Sequence, residues 1–142
     1  MLPADLSAPH GVALRPGSHG LFPNAKVPSD VMAVFDTRTK QLLRRFALPM
    51  ATHNFTFSPD GASIFNFAGK EGVSRLDPGN GAVLAHTEIG SPARGVRMLT
   101  GRPSELAMAG KREIVIVDGS SLHILRRLVG SSLILRCYVT AQ

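Results

Sequence analysis

Apolar residues along this chain come in short runs, and the runs are cut at close intervals by turn-forming residues. "VMAVFDT" (Val31 to Thr37), "HNFTF" (His53 to Phe57), "SIFNF" (Ser63 to Phe67) and "EIVIVDG" (Glu113 to Gly119) are each flanked by Gly, Pro, Asp or Ser. Breaks recur roughly every 8–12 residues and the runs are rich in Val, Ile and Phe, which is a strand pattern. "EIVIVD" is apolar at consecutive positions, as expected of a strand covered on both faces. Helices fit poorly. A helical pair at this spacing needs stretches of roughly 12 residues free of Gly and Pro in every copy. Only Ser29 to Leu48 and the tail from Ser131 to Gln142 are that long, and the tail is rich in strand formers.

The runs repeat. Asp36, Asp77 and Asp118 each end one, 41 residues apart in both steps. Ahead of them, "PHGVAL", "THNFTF" and "ARGVRM" align His10, His53 and Arg94, separated by 43 and 41 residues. The two extra residues fall in the longer loop around "NAKVPSD". After each Asp come a turn and a last strand, on which Arg44-Arg45, Ala85-His86 and Arg126-Arg127 correspond. In the middle copy the strands are expected at Phe55 to Ser58, Ser63 to Phe67, Gly72 to Leu76 and Val83 to Ile89. Ser58 to Gly61 and Asp77 to Gly81 are then turns, with Pro59 presetting φ and Gly61 tolerating positive φ.

Four strands in a unit of about 40 residues is the pattern of a β-propeller blade. The chain is therefore expected to be all-β, with blades of four antiparallel strands at roughly 8–49, 50–90 and 91–130. The start of a further blade is expected at 131–142, all within a single partial propeller domain over 1–142. Propellers close with about 4–8 blades, so about three make an incomplete ring. The remaining blades of a longer chain, of which this is a fragment or truncated form, or a second copy would complete it. An open stack is expected to expose apolar faces at its ends and to associate. The paired arginines read as charges protecting an outer edge strand, or as a patch for an acidic partner.

Composition narrows the partners. Lys and Arg number 16 against 10 Asp and Glu, for a net charge of +6. The basic residues are scattered, and the aromatics are seven Phe and one Tyr without Trp. That speaks against a nucleic-acid partner. No apolar run approaches the roughly 18 residues of a membrane span. "MLPADLSAPHG" lacks the basic and apolar regions of a signal peptide. The lone Cys137 allows neither an intrachain disulfide nor a multi-Cys zinc site, and reads as a small buried apolar residue.

Candidate chemistry centres on His10, His53 and Arg94. First-strand ends line the channel mouth of a propeller, so these three would converge there as a cationic set for a protein or small anionic ligand. The alternative is a polar residue bonding a loop carbonyl. Two imidazoles alone define no metal site, and no metal is expected. The strict periodicity of Asp36, Asp77 and Asp118 marks them as turn-formers accepting local N–H bonds. No catalytic residue is assigned: Glu71 has no partner residue, and no nucleophile elbow or phosphate loop is present. His19, His86 and His123 are expected at the surface.

"SPDGASIF…VSRLDPGNGAVLAHTEIGSPARGV" resembles the YVTN-type β-propeller repeat, with its Ser-Pro-Asp-Gly turn and its "Gly-x-x-Pro-x-Gly-Val" opening of the next blade. "CYVTAQ" is similar to the strand that names that family. The resemblance covers roughly residues 8 to 130. It departs at "LTGRPSE" (Leu99 to Glu105) and "RPGSHG" (Arg15 to Gly20), where the usual turn is missing. Repeats without a unique catalytic set read as a non-catalytic binding scaffold, with no cofactor expected. The haem-binding propeller of cytochrome-type nitrite reductases and its relatives in haem assembly are similar in their blades. A haem-associated oxidoreductase or haem-handling propeller domain is therefore the alternative, and a propeller lactonase-type hydrolase, which needs a convergent acid/base set on loops, is the second. The resemblance implies a periplasmic or other extracytoplasmic location; residue patterns leave the compartment unknown.

Overall fold

In each copy the Asp-ended run becomes the third strand of one sheet. The computed structural model describes residues 7–27, 30–49, 52, 54–67, 72–90, 93–99, 101–110 and 112–130. The first sheet is β1 (Ser7–Leu14), β2 (Gly20–Val27), β3 (Val31–Asp36) and β4 (Leu42–Ala47). The second is β5 (Asn54–Phe57), β6 (Ile64–Phe67), β7 (Val73–Leu76) and β8 (Val83–Thr87). The third is β9 (Ala93–Leu99), β10 (Arg102–Gly110), β11 (Glu113–Asp118) and β12 (Ile124–Val129). Each sheet is an antiparallel meander with its strands in chain order. The chain is thus all-β, with about three blades of an incomplete propeller. The middle-sheet strands lie within two residues of their expected bounds. The further blade expected at 131–142, with Cys137, lies outside the described residues, as do His53 and Glu71.

One hairpin is built three times. The Asp36 amide donates to the Gln41 carbonyl at 3.0 Å, and the Lys40 amide donates to the Asp36 carbonyl at 2.8 Å. The same two bonds join Asp77 with Ala82 and Gly81, and Asp118 with His123 and Leu122. The carboxylate caps the loop from inside. Asp36 Oδ1 accepts from the amides of Arg38 and Thr39, Asp77 Oδ1 from Gly79, and Asp118 Oδ1 from Ser120 and Ser121. The fourth residue after each Asp is left-handed: Lys40 at φ 59°, Gly81 at 77° and Leu122 at 60°. A register shift follows in all three, between Val34/Phe35, Arg75/Leu76 and Ile116/Val117. The repeated Asp residues are turn-formers.

The first hairpins differ from copy to copy. In the second sheet the Gly61 amide donates to the Ser58 carbonyl, and Asp60 Oδ1 accepts from Ser58 Oγ and the Ala62 amide. In the first, Pro16-Gly17 sits at the centre of the turn, with Gly17 at φ 67°, the arrangement of a type II turn. In the third, Leu99 pairs directly with Arg102, and the ladder resumes only at Leu106 with Met98. Gly101, at φ 75°, makes that tight connection. The residues where Pro-Asp-Gly was expected are instead an irregular stretch of β10, in which Pro103 needs no amide donor.

Two apolar layers hold the sheets face to face. Phe22, Met32, Val34, Phe46 and Leu48 meet Phe55, Phe57, Ile64 and Leu76 between the first and second sheets. The rings of Phe22 and Phe57 pack edge-on at 5.0 Å. Phe65, Phe67, Val73 and Ile89 meet Val96, Leu106, Met108, Val115, Val117 and Leu122 between the second and third. Successive residues of β6 thus serve opposite layers, which is why all four of its residues, the polar Asn66 included, are buried. Each large side chain so buried contributes about 1.5–3 kcal/mol.

The arginine pairs do more than guard an edge. Arg44 Nη2 donates to the Pro78 carbonyl of the next sheet at 3.0 Å, with its guanidinium 6.0 Å from the Phe22 ring centre. Arg127 Nη2 donates to the Ile89 carbonyl of the preceding sheet at 2.6 Å and also pairs with Glu113. Arg126 pairs with Glu105. Alternation along the strand sends one arginine of each pair toward the adjoining sheet, Arg44 on β4 and Arg127 on β12. Arg44 and Arg127 therefore act as ties between sheets.

Candidate functional site

The middle sheet's first strand, β5, lies against both β1 and β9. The first strands are therefore innermost, and the last strands are outermost. Two of the three aligned residues sit on these inner strands at the same irregularity. On β1, Pro9 pairs with Ala25 and Gly11 with Asn24, leaving His10 as the extra residue. On β9, Ala93 pairs with Gly110 and Gly95 with Ala109, leaving Arg94 as the extra residue. Both are bulges, at which the strand carries one residue more than its partner and bends. His53, their counterpart before β5, lies outside the described residues.

Local packing fixes the first bulge. A Cβ on Gly11 would lie 2.9 Å from Asn24 Oδ1, so the glycine allows β1 to close onto β2. Asn24 is fully buried and its Nδ2 donates to the Thr52 carbonyl at 3.4 Å. Asp30 accepts from the Thr52 amide at 3.3 Å. Thr52, immediately before His53, is thereby tied to the first sheet. His10 is exposed. With Pro9, Gly11, Val12, Leu21 and Pro23 it lines an apolar recess of about 370 Å³ on the face of the first sheet turned away from the second. Val12 and Leu14 are 64% and 60% exposed there.

A second recess, of about 430 Å³, opens between the second and third sheets at the level of the first hairpins. Phe65 and Met98 form its apolar wall, Arg75 lies within it, and Ser58, Asp60 and Ser104 stand around it. Hydrogen bonds from Ser58 and the Ala62 amide hold the Asp60 carboxyl below its ordinary value, so it is ionised at neutral pH. Sequence reasoning missed this site. Its one signal was Arg75 standing two residues before the repeated Asp, where the other copies carry Val34 and Ile116.

The remaining candidates settle into structural places. The exposed His86 holds Ser74 Oγ at 2.8 Å from its Nδ1, a bond that satisfies a fully buried hydroxyl. His19 and His123 are exposed. Among the described residues no three His, Cys, Asp or Glu side chains gather to hold a metal ion, and no helix is long and apolar enough to cross a membrane.

No family model matches the chain, and no curated protein matches it. Among solved structures it is similar to Kuenenia stuttgartiensis hydrazine synthase, with a TM-score of 0.75 at 18% identity. The match covers 92% of this chain and 38% of that one. At this identity the likeness speaks for the fold. The chain corresponds to well under half the length of that protein.

Proposed function

We propose that this chain is part of a β-propeller binding scaffold of YVTN-like type, and that it engages an anionic ligand or protein group near the propeller axis. The observation that carries this reading is the shared bulge. Two cationic or ionisable residues, His10 and Arg94, occupy equivalent extra positions on two innermost strands. An extra residue at the same place on two inner strands suits a ligand on the axis, because each such blade then offers one residue toward it. His53 is the third contact by sequence position. The remaining blades of a longer chain, or a second copy, would complete the ring around that ligand.

The test is calorimetric titration of the longest natural form of the chain with a small dicarboxylate and with an acidic peptide. Binding weakened about tenfold by Arg94→Ala, with thermal stability kept, supports the reading. Unchanged affinity in Arg94→Ala and His10→Ala variants overturns it.

A second reading is a haem-handling or oxidoreductase propeller domain. It is favoured by the resemblance of the repeat to haem-binding propellers and by similarity to a protein whose name, hydrazine synthase, is that of an enzyme. An absorbance band on adding haem, abolished by His53→Ala, would support it. An unchanged spectrum would remove it.

A further inference from the structure

We infer that the recess between the second and third sheets is a separate ligand site for a small organic monocarboxylate, with Arg75 as its anion-binding residue. The inference does not rest on the axial site, which lies on other residues. Arg75 pairs with Phe65 across the sheet, and so faces the third sheet. The equivalent residues of the other sheets, Val34 and Ile116, are each 1% exposed apolar core. A guanidinium at a core position is costly unless a hydrogen-bonding anion meets it. Arg75 has none: its Nε is closed to solvent without a partner, and it forms no ion pair or hydrogen bond with a described residue.

Arg15, Arg44 and Arg127 each donate to a carbonyl of the neighbouring sheet, namely Gly61, Pro78 and Ile89. Arg75 is the exception, and it is the one that lines an open recess. The reason for the opening is also visible. Between the first two sheets, Arg15 extends across the mouth, with its Nε 2.8 Å from the Gly61 carbonyl. Its counterpart at the next interface is Ser58, whose short side chain is turned to its own loop. The space that Arg15 fills at one interface is left free at the other.

The surroundings select the ligand. A guanidinium takes a carboxylate bidentately. Phe65 and Met98 offer apolar surface for a short hydrocarbon body. The ionised Asp60 at the rim repels a second negative charge, which disfavours phosphate and dicarboxylates.

The experiment is an amide NMR titration of the full chain with butyrate, with inorganic phosphate as the contrasting anion. Saturable shifts at Phe65, Ser104 and Gly119 with butyrate, and none with phosphate, are expected. Arg75→Leu, which installs an aliphatic side chain like those of Val34 and Ile116 in the other two sheets, should keep the melting temperature and weaken butyrate at least tenfold. Arg75→Lys should weaken it several-fold, and this variant carries the test if the leucine variant does not fold. Asp60→Asn should admit phosphate. His10→Ala should leave butyrate binding unchanged, which separates this site from the axial one. Absence of saturable shifts, equal butyrate affinity without Arg75, or phosphate binding as tight as butyrate in the unaltered chain would overturn the proposal.

Discussion

Lys40, Gly81 and Leu122 share a backbone conformation that only one of them adopts without penalty. A non-glycine residue in the left-handed region costs roughly 1–2 kcal/mol, and glycine gives back roughly 0.5–1 kcal/mol in chain entropy. Lys40 is exposed and its φ is 59°. Lys40→Gly should therefore stabilise the chain by about 0.5 kcal/mol, measured by urea denaturation. Leu122 is buried in the second apolar layer, so the same change there should destabilise. At Gly72, φ is 91° and a Cβ would lie 2.1 Å from the Thr87 carbonyl oxygen. Gly72→Ala should cost about 3 kcal/mol, since conformation and space both oppose it. The loop carboxylates set the acid limit. Loop hydrogen bonds hold Asp36 and Asp118 below their ordinary value of 3.8, most strongly Asp118 through Ser120 and Ser121. A lowered folded-state value means stability present above about pH 4 and lost as pH falls through the lower, folded-state value. Melting temperature followed from pH 6 to pH 2 should fall below pH 4, and Asp118→Asn should flatten that fall.

At the scale of the strand, the outer strands show how alternation assigns work. Neighbouring arginines on β4 or β12 point to opposite faces of the sheet, so one of each pair reaches the adjoining sheet: Arg44 ties forward and Arg127 ties back. Arg44→Ala removes a charge-assisted bond to the Pro78 carbonyl and a ring contact on Phe22. It should cost about 1–2 kcal/mol. Arg38, whose pair with Asp36 is exposed, should change stability by less than about 0.5 kcal/mol when cut to alanine. Chemical denaturation of the two variants side by side would distinguish a tie from a surface pair; equal losses would argue against the tie.

At the scale of the molecule, three sheets make two complete layers and two end faces. The ends differ. On the third sheet, Ile114 and Ile116 pack with Ala107 and Leu99 and are closed to solvent. On the first, Val12 and Leu14 stand open beside the apolar recess. The expected association through exposed apolar faces is thus argued from the first sheet. Sedimentation of the chain should show self-association, and Val12→Glu with Leu14→Glu should shift it toward monomer. A monomeric unaltered chain would contradict this.

The sequence alone determined the blade unit, because local rules govern it. Pro, Gly and Asp at fixed offsets define hairpins, and β11 announces two-sided burial by its unbroken apolar run Ile114–Val117. The Asp36, Asp77 and Asp118 periodicity also identified turn chemistry that could otherwise pass for an acidic catalytic set. The equivalence of His10 and Arg94 was legible as an alignment, but their common bulge was not, since a bulge depends on the register of the partner strand. The third sheet's tight Leu99–Arg102 connection was hidden for the same reason. Arg75 looked like any basic residue on a strand. Only the tertiary structure decided that it faces a neighbouring sheet without a carbonyl to bind, because which space is filled between sheets depends on side chains from different repeats meeting there.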